Sequence, residues 1–117
     1  MKIASATYQS SSLTAFFDQH IPALIDISRR LLDQAIDALS LEQQLLAILE
    51  HWQCLAVSDA KIDSPREQAF WQTFDLLSRF QPHRLRGHWA IRQQLENCLA
   101  FLQEGGPLPQ PLSALRP

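Results

Sequence analysis

Hydrophobic side chains along this chain recur with the pitch of an α-helix in four successive blocks. In the first block, Leu13, Phe16, Phe17, Ile21, Leu24, Ile25 and Ile27 share an arc with Leu31, Leu32, Ala35, Ile36 and Leu39 when wound at about 100° per residue. The opposite side collects Asp26, Arg29, Arg30, Asp33 and Asp37, with opposite signs at i, i+3 and i, i+4 spacing, as on a solvated helix face. A first amphipathic helix reaching Leu39 is expected. Pro22 either kinks it or sits in the first turn of a helix that starts afresh, because proline is tolerated at N1 and damaging further in. The apolar arc covers about 200°, whereas a surface helix in a bundle needs about 100°. This helix therefore lies in the middle of the bundle, or it offers its surplus as a dimer or partner interface.

Ser40 and Gln43 form a capping-box pattern ahead of Leu45, Ile48, Leu49, Trp52 and Leu55, which places the start of a second helix near Leu41. Ser64, Pro65 and Glu67 supply a cleaner start signal, a serine cap with proline at N1 and glutamate at N3. The third helix should run from about Pro65 to Phe80 with Phe70, Phe74, Leu77 and Phe80 on its stripe, flanked by Ala69 and Leu76. Gln81-Pro82 ends it, since a residue before proline is pushed out of the α region. From His83 to Gly87 the chain is basic and poorly patterned. A last helix then carries Ile91, Leu95, Cys98, Leu99 and Leu102 inward to Glu104, where Gly105-Gly106 stops it. The proline-rich stretch that follows reads as extended polyproline geometry, lying on the body or hanging free. The fold class predicted is all-α: a single-domain bundle of about four helices over residues 1–106, with a proline-rich C-terminal tail over residues 107–117.

Composition supports one such domain. The 117 residues are 46% hydrophobic, enough for an ordinary core without disulfides, and the two cysteines, Cys54 and Cys98, lie far apart within helical patterns. Only three glycines occur, two of them adjacent, which leaves almost none of the punctuation that β-hairpins require. No long uninterrupted apolar run exists and the first residues lack a signal-like apolar core, so a soluble, cytoplasmic protein is expected. Charge is unevenly spread. Residues 1–78 hold five basic and ten acidic side chains, while residues 79–117 hold five basic and two acidic, a balance suited to steering an acidic partner toward the C-terminal part.

Two tryptophans fall off their helices' apolar stripes: Trp71 and Trp89 lie about 110° to 135° from the stripe centres. Tryptophan is a frequent binding anchor, and Trp89 neighbours a segment with Arg79, Arg84, Arg86 and Arg92, His83 and His88, and no acid. Arginine forks grip phosphate or carboxylate, and interleaved aromatics stack on bases. A nucleic-acid binder normally has a clearly basic domain, however, and the pI here is near 6.0. The bland alternative for the tryptophans is that they pack on each other or under the tail.

Metal and catalytic signals are weaker. His51 and Cys54, at i, i+3, could touch one ion, with His83 and His88 as further donors, but structural zinc sites show paired ligands twice. Asp59, Asp63 and Glu67 invite a calcium reading that fails, because Ser64 falls where the loop needs glycine and Phe70 where it needs a bidentate glutamate. No phosphate loop or nucleophile elbow is present, so no catalytic residue, cofactor or metal is assigned. The first functional reading is a non-catalytic protein-protein interaction module, a small adaptor, chaperone-like or regulatory bundle binding a partner protein or itself, with Trp71, Arg79, Arg84, Arg86, Trp89 and Arg92 as its contact residues. The alternatives are a nucleic-acid-binding regulator using segment 79–92 and a small enzyme with a histidine-based site at His51, His83 or His88.

Overall fold

The computed structural model describes residues 2–57, 62, 64–109 and 114–117, with side chains described from Ser12 onward. Five helices and no strands occur among the described residues: α1 (Lys2–Leu32), α2 (Ala38–Cys54), α3 (Pro65–Arg79), α4 (Pro82–Gly87) and α5 (Trp89–Glu104). The all-α expectation holds, with one helix more than the hydrophobic blocks suggested.

The wide apolar arc of α1 is explained by its place at the centre, where it touches α2, α3, α4 and α5. Phe16, Phe17, Ile21, Leu24, Ile27 and Leu31 are all buried along it. Even Ser28 is enclosed, and its hydroxyl donates back to the Leu24 carbonyl at 2.8 Å, which satisfies that polar group on the buried face. The helix neither restarts nor ends at Pro22, which sits on its exposed side. There the missing N–H costs α1 its bond to the Asp18 carbonyl, on the side of the helix that faces solvent.

The junction to α2 differs from the sequence expectation. α1 stops at Leu32 instead of running to Leu39, because Gln34 turns into the left-handed region at φ 59° and the Ala35 amide returns to the Arg30 carbonyl. The N-cap of α2 is Asp37 rather than Ser40: its carboxylate accepts the Ser40 amide at 2.7 Å, and the helix begins at Ala38. That bond holds the Asp37 carboxyl below its ordinary pKa.

α3 starts as expected. The Ser64 hydroxyl accepts the Glu67 amide at 3.1 Å and Pro65 occupies the first turn. Its other end is the extended Phe80, and Gln81-Pro82 leads into α4, the stretch whose pattern was too sparse to announce a helix. Leu85 is the buried anchor of α4. His88 ends α4 and caps α5, its Nδ1 facing the Ile91 amide. Gly105, at φ 67°, closes α5 in the left-handed conformation that glycine accepts without strain.

α3 touches α1, α2, α4 and α5 and is covered over most of its circumference. Trp71 is therefore not on a surface, as its off-stripe position suggested, but 1% exposed at the hub of an aromatic cluster. Its ring centroid is 4.9 Å from Trp52 and 4.7 Å from Phe70, and Phe16, Phe17 and Phe74 complete the shell. Its indole N–H donates to the Glu67 carboxylate at 3.0 Å. The same carboxylate takes Arg116, whose Nη2 donates to Oε1 at 2.7 Å and whose Nε donates to Oε2. Residues 114–117 thus lie on the body against α3, while residues 110–113 of the expected polyproline stretch lie outside the described residues.

Candidate interaction groove

α2 buries one face and leaves part of another uncovered. Leu41, Leu45, Ile48 and Trp52 point into the core at helical spacing, and α2 leans on α1 and α3. Leu39 and Leu46, seven residues apart and so on one side of the helix, are 64% and 52% exposed. Between α2 and the last turns of α3 runs a groove of about 530 Å³. Its floor is formed by Leu41, Leu45, Leu49, Phe74 and Leu77, and Leu46 stands on its flank. Glu42 lines the α2 side and Arg79 the α3 side, while Phe80, Gln81 and Pro82 close the end where the chain leaves α3. The groove exists because the pre-proline turn takes the backbone away from α2 at Phe80, before another element covers Phe74 and Leu77 from that side.

The residues expected to contact a partner are dispersed. Trp89 is 79% exposed at the start of α5, whereas Trp71 is enclosed, so the two rings neither form one surface nor pack on each other. Arg79 lines the groove and pairs with Asp75 at 3.0 Å. The guanidinium of Arg84 lies 5.6 Å over the Phe80 ring. Arg86 donates to the Leu31 carbonyl at 3.2 Å, a cation placed at the C-terminal end of α1 where the helix dipole favours it. Arg92 donates to the Arg86 carbonyl and lies 3.7 Å from the Glu96 carboxylate. These donors are aimed at the chain's own acceptors, which disfavours a shared phosphate cradle.

Two histidines meet between α1 and α2. His51 turns its Nδ1 to the Nε2 of His20 at 2.6 Å, and both rings contact Phe16. His20, on the inner side of α1, carried no weight in the sequence because a histidine one turn from Phe16 looks like part of an apolar stripe. His88 is spent as a cap, and Cys54 is exposed while Cys98 is buried, its thiol pushed up by desolvation. Among the described residues no three His, Cys, Asp or Glu side chains converge on a point. Asp59 and Asp63 of the acidic corner lie outside the described residues, and Glu67 is the buried partner of Trp71 and Arg116.

The histidine pair predicts a pH dependence. Burial, and then the neighbouring His51, hold His20 below its ordinary value of 6.5. Just below that pH the folded chain binds fewer protons than the unfolded chain. The contribution is therefore complete above 6.5 and is lost as the pH falls toward the folded-state value. Protonating both rings would also set two N–H groups against each other across the 2.6 Å contact. On going from about pH 7.5 to 5.5 the wild-type melting temperature should fall, and by less in His20→Phe, which keeps the ring and removes the titration. Equal falls in both chains would absolve the pair.

No helix of the described residues is long and apolar enough to cross a membrane. No family model matches the chain, and no curated protein or solved structure matches it either, so the groove must be read from its own chemistry.

Proposed function

We propose that this chain is a non-catalytic protein-binding bundle, and that it takes the apolar face of a partner's amphipathic helix into the groove between α2 and α3. The observation that carries this reading is the groove itself. About 530 Å³ floored by leucine and phenylalanine has two exposed leucines beside or in line with it, on a helix whose other face is fully used in the core. An α-helix is the occupant that matches, since Leu39 and Leu46 repeat over two turns and helix-in-groove binding uses anchors at i, i+3, i+4 and i+7. Glu42 and Arg79 on opposite lips favour one orientation of a partner carrying a base on one edge and an acid on the other. Among the six residues first expected at the interface, Arg79 alone lines this groove.

Displayed amphipathic helices selected on the wild-type chain provide the test. Leu46→Glu should leave folding unchanged, because the side chain is already half in water, and should weaken the selected helices at least about tenfold through the lost apolar contact. Trp89→Ala and Arg92→Ala should leave their affinity within about twofold. Binders that ignore Leu46→Glu but are lost on Trp89→Ala would move the function to the start of α5.

A further inference from the structure

The geometry points to a second binding site, independent of the groove: the first half of α3 is a recognition site for an extended, arginine-bearing peptide, and the chain's own residues 114–116 occupy it. Three contacts define it. The Gln72 side chain accepts the backbone N–H of Ala114 at 3.2 Å, and the Gln68 side chain donates to the backbone carbonyl of the same residue at 2.9 Å. One helical turn separates the two glutamines, so together they grip both backbone polar groups of a single residue, as a neighbouring strand does. Two residues further along, the Arg116 fork meets the Glu67 carboxylate in a bidentate pair, with both side chains 4% exposed. The guanidinium also lies 5.6 Å over the Trp52 ring, and the Glu67 carboxylate is oriented independently by the Trp71 N–H.

This division of labour is that of a peptide-reading site. The glutamines hold main chain, which any small residue supplies, and the glutamate pocket selects a side chain, for which a planar cationic fork fits best. Leu115, between the two anchors, is 80% exposed and contributes nothing to the fit. The ligand class is therefore an extended segment of the form small residue, any residue, arginine. The pocket is built largely without Arg116. Glu67 is fixed by the first turn of α3 and by Trp71, Trp52 is packed in the core, and a cavity of about 180 Å³ bordered by Leu13, Thr14, Phe17, Ser64 and Arg66 adjoins the ion pair. That cavity gives water a route to Glu67 when the arginine withdraws, so a vacated site is a hydrated site and not a collapsed one.

Residues 107–113 tether the occupant, and a tether of this length presents it at an effective concentration on the order of 1 mM. A segment that stays at least about 90% bound under those conditions has a dissociation constant near 0.1 mM or tighter when it is supplied in trans. The experiment titrates a synthetic peptide of residues 107–117 into the full chain carrying Arg116→Ala, whose site has lost its main anchor, followed by calorimetry. Stoichiometric binding with a dissociation constant of about 0.1 mM or tighter is expected, with at least about tenfold weaker binding to the wild-type chain, whose own segment competes. The same peptide with Arg116→Ala should not bind.

A second measurement needs no variant of the protein. In the wild-type chain the NMR signal of the Arg116 Nε–H, shifted by its pairing with Glu67, should move toward the position of a solvated arginine as the peptide is raised to several millimolar. No peptide binding to a folded Arg116→Ala chain, or no movement of that signal, would show that residues 114–116 are a structural strap and overturn the proposal. If Arg116→Ala fails to fold, the NMR displacement decides it.

Discussion

Trp71→Ala should lower the unfolding free energy by about 3–5 kcal/mol, the range for removing a fully enclosed large aromatic. The ring touches Phe16, Phe17, Trp52, Phe70 and Phe74, so its loss opens a cavity bounded by these five aromatic neighbours and by two helices besides its own. A domain of this size holds only about 5–15 kcal/mol in total, so the variant loses a large fraction of its stability and its melting temperature should fall on the order of 15 °C. Trp71→Phe separates two contributions. It retains a ring but removes the N–H that reaches Glu67, and a smaller loss of about 1–2 kcal/mol is expected. Chemical denaturation of both variants reads these values. A loss below about 1 kcal/mol for Trp71→Ala would mean that the ring lies at the surface, where helical periodicity alone had put it.

Glu67→Ala is the other large effect, about 3–5 kcal/mol, because removing one member of a buried ion pair strands the other. Here the Trp71 N–H stays buried without its acceptor, and Arg116 loses the pairing that holds residues 114–116 on α3. Arg116→Ala should cost less, about 1.5–3 kcal/mol, since the remaining carboxylate sits in the first turn of α3, where the helix dipole favours it, and beside a cavity that water can enter. The two losses should not add. In a double-mutant cycle the combined variant should be destabilised by about 1–3 kcal/mol less than the sum of the single variants. Additivity to within about 0.5 kcal/mol would show that residue 116 does not engage Glu67 in solution.

The two predictions mark where sequence reading worked and where it stopped. Ser64-Pro65 and Gly105 were legible because a cap, an N1 proline and a left-handed glycine each act within a few residues, and all three stand where they were expected. The central place of α1 was legible as one of two readings, since only a helix touched on several sides needs so wide an apolar arc. Asp37 was misread because it also fitted the charged face of a longer α1, and no local signal announced that Gln34 would take a positive φ. α4 carries a single buried leucine, too little for any period to register.

Trp71 failed for a different reason. A stripe predicts which face a helix turns to one neighbour, and α3 has four neighbours plus residues 114–117, so its burial is a property of the assembly. The site was less legible than the fold. Leu39 read as the end of the α1 apolar arc and Leu46 belonged to no stripe, and only the position of α3 shows that a groove remains beside them. The pairings of His20 with His51 and of Glu67 with Arg116 join residues too far apart in sequence for spacing to reveal.

Amide chemical-shift mapping with a selected amphipathic helix tests the central claim most directly. Shifts concentrated along Leu41–Leu49 of α2 and across Phe74–Pro82, with Trp89 and Arg92 unmoved, are the predicted result. Shifts centred on Trp89 and Arg92, with the α2 leucines silent, would contradict it.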